Sequence, residues 1–536
     1  MKKIQIFVLF LTLNFTANAQ IFEAEEAQLT TGATVGTNAL RSEGAYVLLK
    51  EGNLTLEVHL DKKSYYNIYI NAASTGGKKI NAFAINGASL DFTLTEQSYS
   101  DILLVSKLPL DSGKHTIEII KSWGWINIDY FKFEEQENGI SFNIDQNPVT
   151  SNPTAEAKNL YNFLLDTYRQ RIISGVMTLN PMDEVQWLKE QTGKEPALLG
   201  IDLMHCGRNY NWYNENEPIS DARNYYNRNG IPAFTWHWRD PSRQTEEFYT
   251  SKTSFDISKI NDENSAEYKA MIADIDYISQ ILLQLQNDSV AILWRPLHEA
   301  AGGWFWWGAK GPQPCKKLWH IMFDRMVNYH GLKNLLWVWT REPNDEEWYP
   351  GDDFVDIVGR DIYKDGDHSS QILEFLQMNS LYSGRKMLAI SECGSFPDPN
   401  NLRNDEASWS FFMPWYGDFV RKSEYNPLSL WIKTMNHQHV ITLDEMPDLR
   451  KYVRLNSLKK RKSSQVKVFP SVTKNLINIV SHNAIGKIQM YDVAGKNVYS
   501  KTIQTKQANI NISAFKPGIY IIKNAGSEPQ KIIKTE

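Results

Sequence analysis

Two carboxylic acids stand out by where they fall. Glu299 ends the stretch WRPLHE, and Glu392 lies in AISECG 93 positions later. Each sits at the end of an apolar run, where an ionisable side chain is costly unless it has a role. Two carboxyl groups about 5–5.5 Å apart can cleave a glycosidic bond with retention, one as nucleophile and the other as acid and then base. Around the first acid, WRPLHEAAGGWFWWG gathers five aromatic rings within fifteen residues, Trp294 to Gly308. A flat indole can lie on the C–H face of a sugar ring, covering roughly 150–250 Å². A second chemistry is open to the same region, because His205, His237 and His298 all follow apolar runs and three histidines can hold zinc. HEAAG, however, is not the HExxH pair of a zinc hydrolase.

Something must hold the two acids across one cleft. Between about 155 and 455, eight apolar runs alternate with helical patterns: RIISGVMT, PALLGIDL, PAFTWHW, VAILWRPLHE, NLLWVWT, VDIVGRDIY, KMLAISECG and LSLWIKTM. That alternation predicts βα units and a parallel sheet, and eight repeats in about 300 residues predict a (β/α)8 barrel. Glu299 then follows the fourth strand and Glu392 the seventh. Three repeats of about 31 residues separate them, so both emerge on the C-terminal rim, where such barrels carry their chemistry. Intervals such as EYKAMIADIDYISQILLQLQ repeat their apolar residues at helix spacing and should clad the outside.

The flanks read differently. MKKIQIFVLFLTLNFTANAQ has a basic start, a short apolar core and an Ala-Asn-Ala cleavage site, so residues 1–19 are expected to be a secretory signal. Segments such as LTLEVHL and WINIDYFKF, between Gly, Asn and Asp, predict a β-sandwich over 20–134, followed by a linker over 135–154. The barrel occupies 155–458. After the basic linker KKRKSS at 459–464, strands return in a small domain over 465–536. The expected fold class is thus multidomain: an N-terminal β-sandwich of jelly-roll type, a (β/α)8 TIM barrel and a small C-terminal β-sandwich. A chain of 536 residues is too long for one hydrophobic core. A net charge of −5 argues against nucleic acid as a partner. Three cysteines build no disulfide framework, although one bridge is open to them.

WRPLHEAAGGWFWWG, ISECGS, TWHW, DIVGRDIY and VITLDEMP together resemble glycoside hydrolase family 26 across 155–455. Most members of that family are retaining endo-β-1,4-mannanases. The resemblance makes Glu299 the acid/base and Glu392 the nucleophile. It implies that Tyr363 hydrogen-bonds the nucleophile, that Arg295 stabilises a carboxylate, and that His237 and His298 contact the sugar. Trp304 is expected to face substrate, Trp306 and Trp307 to pack the loop, and Trp431 to floor the −1 subsite at the end of the eighth strand. FEAEEA and SWGWINIDYFKF resemble a family 35 carbohydrate-binding module, which places Trp125 and Asn127 against sugar, a role Trp123 is expected to share. It also brings Glu23, Glu25 and Asp129 together as hard oxygen ligands for a structural Ca²⁺. MYDVAGKNVY, INISAFKPGIY and KIIKTE resemble the sorting domain of the type IX secretion system.

These resemblances imply a secreted or surface-held β-mannanase needing no cofactor for catalysis. Its partners would be mannan, galactomannan or glucomannan and the type IX secretion machinery, and it is expected to be a monomer. A β-1,3-xylanase or mixed-linkage β-glucanase of the same family, or a glycan-binding protein with an inactive barrel, are the alternative readings.

Overall fold

In the first 120 residues, alternation of side chains selects a sandwich. Leu54–Leu60 buries Leu54, Leu56, Val58 and Leu60 and turns the residues between them outward, the period-two pattern of a sheet with one covered face. Two antiparallel sheets result. One contains Ala19–Glu23, Ala33–Thr37, Ala45–Leu49, Ile126–Gln136, Ser64–Ser74 and Ser100–Leu110; the other contains Gln28–Leu29, Leu54–Leu60, Gly113–Trp123, Lys79–Ile85 and Ala88–Leu94. The structure is a computed structural model that describes residues 19–179, 182–208, 216–343, 345–454, 467–470, 472–481, 484–493, 495–524 and 530–536. Apart from Ala19, the expected signal sequence lies outside those residues, as does the basic stretch 459–464.

The barrel strands are Ile172–Thr178, Leu198–Asp202, Ile231–Thr235, Ile292–Arg295, Leu335–Arg341, Ile357–Ile362, Met387–Cys393 and Phe411–Pro414. All neighbours are parallel, and the first strand pairs with both the second and the eighth, which closes the sheet. Seven strands fall where the apolar runs predict them. The eighth does not. LSLWIKTM is a helix, Leu428–Met435, which buries Leu430, Trp431, Thr434 and Met435 at i, i+1, i+4 and i+5, a helical stripe. The true eighth strand is the four-residue FFMP, too short to stand out as a run.

The stretch expected to be a linker is packed against the barrel. Phe142 sits between Tyr168 and Phe375 at 6.0 and 6.3 Å. Asp145 pairs with Arg385 at 3.2 Å and Lys386 at 3.0 Å, and Val149 N–H donates to Asp356 at 2.8 Å. The expected linker therefore lies against the barrel surface, with Asp145 paired to its charges. Nine of the seventeen tryptophans are under 2 % exposed, so the aromatic richness is mostly core. Cys315 and Cys393 are buried free thiols, and Cys206 is buried as well.

The chain divides into two compact units, Met1–Tyr452 and Val453–Glu536. The second has its own core of Ile477, Ile479, Ile488, Met490, Ile522 and Ile532 between a three-stranded and a five-stranded sheet.

Candidate active site

The fourth strand ends at Arg295, and the chain then turns sharply. Leu297 and Glu299 both adopt left-handed backbone, at φ 50° and 52°, a conformation that costs non-glycine residues energy and persists only where surroundings enforce it. The enforcement is local. Trp307 Nε1 donates to the carbonyl of His298 at 2.9 Å, and Trp306 Nε1 donates to the carbonyl of Trp238 at 2.6 Å. The expectation that these two tryptophans pack the loop is met, since both are fully buried.

The turn aims Glu299 across the rim at Glu392, which lies within the seventh strand. One carboxylate oxygen from each of Glu299, Asp361 and Glu392 falls within 4.8 Å of the others. Arg295 stands between two of them, donating from Nη1 to Asp361 Oδ2 at 2.7 Å and from Nη2 to Glu392 Oε2 at 2.5 Å. Its other hydrogen bonds go to Thr340 Oγ1 and Thr235 Oγ1, at 3.2 and 3.3 Å. The hydroxyl of Tyr363 donates to Glu392 Oε1. Burial and the surrounding carboxylates keep that phenol protonated.

Charge then assigns the proton. Burial and the charges of Asp361, Glu392 and Glu342 push Glu299 up to about 9. Burial and Asp361 also raise Glu392, but Arg295 and the Tyr363 hydroxyl draw it back. Three carboxyl groups share one guanidinium, so one of them keeps its proton. It is Glu299, which no cation among the described residues hydrogen-bonds; its donor is the neutral indole of Trp304, Nε1 to Oε2 at 2.9 Å.

Beside the acids is a wall of rings. His237 Nδ1 lies 2.6 Å from Asp202 Oδ2, and its backbone N–H donates to Asp202 Oδ1 at 3.1 Å. Its Nε2 is 3.2 Å from His298 Nε2. Burial, His237 and Arg295 hold the His298 imidazole well below its usual range, so it is neutral. Phe248, Phe305 and Trp415 surround His237 at 4.8, 5.3 and 5.9 Å.

The site therefore brings together Glu299, Glu392, Arg295, Tyr363, His237, His298 and Trp304. It does not include Trp431. That indole is 0 % exposed, lies on a helix and donates to the carbonyl of Val420 at 3.0 Å. The error follows from the misplaced eighth strand. The tryptophan that follows the true strand is Trp415, half-buried, with its backbone N–H donating to the carbonyl of Cys393 at 2.9 Å. Two acids were also missed although their signal was present. Asp202 ends the second strand, and Asp361 is two residues before Tyr363 and so on the same strand face. The three histidines do not converge as a metal site. His205 Nδ1 is 3.3 Å from Arg239 Nη2, and among the described residues only Glu299, Asp361 and Glu392 bring three metal-binding groups within 4.8 Å.

On the sandwich, Trp123 and Trp125 are 66 % and 44 % exposed, with Lys79 Nζ and Lys50 Nζ over their rings at 5.2 and 5.0 Å. Asn127 is half-buried on the adjoining strand. Glu23 Oε1 accepts from Ser42 Oγ at 2.6 Å, and Asp129 accepts from Ser42 N–H at 3.0 Å and Arg41 at 3.5 Å. Glu23 Oε2 and Glu25 Oε2 are buried without a hydrogen-bond partner among the described residues.

A closed barrel with two closely approaching carboxyl groups, one following its fourth strand and one near the end of its seventh, defines a glycoside hydrolase. Residues 149–445 match the glycosyl hydrolase family 26 model, and the chain belongs to that family. Residues 20–136 match the family 35 carbohydrate binding module, and 467–535 match a secretion system C-terminal sorting domain, so the protein is secreted or held at the cell surface. It is 34 % identical over 446 residues to a mannan endo-1,4-β-mannosidase of Thermothelomyces thermophilus, covering 80 % of this chain and 91 % of that one. To mannan endo-1,4-β-mannosidase B of Piromyces it is 34 % identical, covering 82 % and 80 %. Among solved structures, the GH26-CBM35 β-(1,4)-mannanase of Podospora anserina superposes with a TM-score of 0.56 at 33 % identity, covering 81 % of this chain and 99 % of that one. No helix among the described residues is long and apolar enough to cross a membrane.

Proposed function

We propose that this chain is a retaining endo-β-1,4-mannanase acting on mannan-type polysaccharide, galactomannan and glucomannan included, outside the cell. The observation that carries the reaction is the approach of Glu299 and Glu392 to within 4.8 Å, the spacing of a double displacement rather than the roughly 6.5–9.5 Å of an inverting pair. The substrate class rests on the two relatives above, which carry mannanase names. Protonated Glu299 gives its proton to the glycosidic oxygen while ionised Glu392 attacks the anomeric carbon. Deprotonated Glu299 then takes a proton from water, which displaces Glu392. Arg295 and Tyr363 hold Glu392 in the ionised, correctly turned state. His237, His298 and Trp415 offer the wall against which the reacting sugar lies. Proton NMR of mannohexaose hydrolysis should record the β-anomer first, and galactomannan and unbranched mannan should be cleaved in preference to β-1,3-xylan or lichenan. Release of the α-anomer would overturn the mechanism, and preference for xylan or lichenan the substrate.

Trp123, Trp125 and Asn127 form the sugar platform of the sandwich. Glu23, Glu25 and Asp129 do not bring three oxygens within 4.8 Å of one another, so a Ca²⁺ held there would have to draw them together; the buried, unpartnered oxygens of Glu23 and Glu25 support such a site. Burial and the neighbouring Glu25 and Asp129 raise the Glu23 carboxyl, as expected of an acid cluster that a cation would relieve. Its contribution is structural. Chelation with EDTA is therefore expected to lower the melting temperature of the sandwich by about 5–10 °C, followed by calorimetry, with mannohexaose hydrolysis unchanged. The C-terminal unit serves export through a type IX system, and the protein acts as a monomer.

A further inference from the structure

Trp304 is half-exposed, at 42 %, as a sugar platform would be, yet it is held more firmly than stacking requires. The loop after the third strand grips its backbone: Thr250 N–H donates to the Trp304 carbonyl at 2.7 Å, and Thr250 Oγ1 donates to the carbonyl of Gly303 at 2.9 Å. Its ring is folded onto Gly302, where a methyl group would fall 2.1 Å from two ring atoms. Glycine is thus required at 302 by the indole lying over it, not by its own backbone. This fold-back points Nε1 at Oε2 of Glu299, 2.9 Å away.

We infer that Trp304 is a positioning residue for the general acid, and that Gly302 is the seat that makes this possible. An indole N–H can only donate, so Oε2 accepts; the carbonyl oxygen of a carboxylic acid is the better acceptor, which favours Oε2 as carbonyl and the proton of Glu299 on Oε1. In the first half-reaction the Oε1–H bond breaks and its proton passes to the glycosidic oxygen, which departs with the electron pair of the C1–O bond. The pair from Oε1–H remains on Glu299 as a carboxylate, and the indole hydrogen bond strengthens as that charge develops. In the second half-reaction a water proton returns to Oε1 as the water oxygen bonds C1 and Glu392 leaves. The donor is preorganised and acts on charge that appears only in the transition state, which raises kcat more than affinity.

The inference rests on the assignment of Glu299 as the acid, and the test separates the two. In the full chain, Trp304→Phe keeps a ring for the sugar and deletes the N–H. Its kcat on mannohexaose should fall roughly 10–100-fold with KM changed less than about threefold. On 2,4-dinitrophenyl β-mannobioside, whose leaving group departs unprotonated, the loss should be at least about tenfold smaller. Gly302→Ala, which retains the indole but unseats it, should reproduce the same asymmetry and decides the matter if the first variant folds poorly. Equal losses on both substrates, or a loss confined to KM, would reduce Trp304 to a sugar platform and overturn the inference. Glu299→Ala run alongside must itself display the leaving-group asymmetry; if it does not, the acid assignment fails and the inference falls with it.

Discussion

Glu392→Ala is expected to lower kcat on mannan by about 10⁴-fold or more while leaving the fold intact. The size follows from the role, since without the carboxylate no covalent intermediate forms and the remaining groups can only bind and polarise. Retention of the fold follows from the contacts. Arg295 keeps Asp361 at 2.7 Å and the two threonines, so no cation is left buried without a partner. Tyr363 is 43 % exposed and can give its hydroxyl proton to water. Azide fits the space vacated by the carboxylate and should attack the same face of the sugar. With an activated mannoside the product is then the α-mannosyl azide, inverted relative to substrate and identifiable by NMR. Hydrolysis at the wild-type rate, or a β-azide, would remove Glu392 from the mechanism.

Glu299→Ala should cost about 10²–10⁴-fold on mannan, the usual contribution of a general acid. Azide should here yield the β-mannosyl azide, because it replaces water in attacking the glycosyl-enzyme from the opposite face. The pH profile supplies an independent check. Glu299 must be protonated in the first step and is pushed up to about 9 by burial and three neighbouring carboxylates. Activity therefore persists through neutral pH and is lost as pH rises through that value. Profiles of kcat/KM should carry this alkaline limb in the wild type and lack it in Glu299→Ala. An alkaline limb that survives the substitution would belong to another group.

The tuning of the pair is a matter of placement. Both acids are glutamates at strand ends, and both are largely removed from water. What separates them is that Arg295 and Tyr363 reach one and an indole reaches the other. The same division extends to the ring wall. His237 is oriented by Asp202, and the imidazole of His298, 3.2 Å from His237, is held neutral by burial, His237 and Arg295.

Much of this was legible from residues alone. Glu299 and Glu392 could be found because an ionisable group at the end of an apolar strand is rarely tolerated without a task, and because their separation is a whole number of βα repeats. The same reasoning, applied to PALLGIDL and DIVGRDIY, would also have found Asp202 and Asp361, which were missed. Trp415 was beyond it. Four residues of FFMP carry too little periodicity to compete with LSLWIKTM, whose helical stripe also reads as an apolar run, and the −1 wall was therefore placed on Trp431. The stretch 135–154, expected to be a linker, shows a similar limit. Its charges look solvated in sequence, and only the barrel surface supplies Arg385, Lys386 and Asp356 as their partners.

By itself, then, the order of residues determined three successive architectures, a barrel rim and the two acids on it, because hydrophobic period and strand-end polarity are local properties of a chain. Only the tertiary structure decided which acid holds the proton, which indole lines the cleft and which lies in the core. Those outcomes depend on distances of a few ångströms between side chains far apart in the chain, such as Arg295 with Glu392 and His237 with Trp415, and electrostatic and packing energies change over that same length.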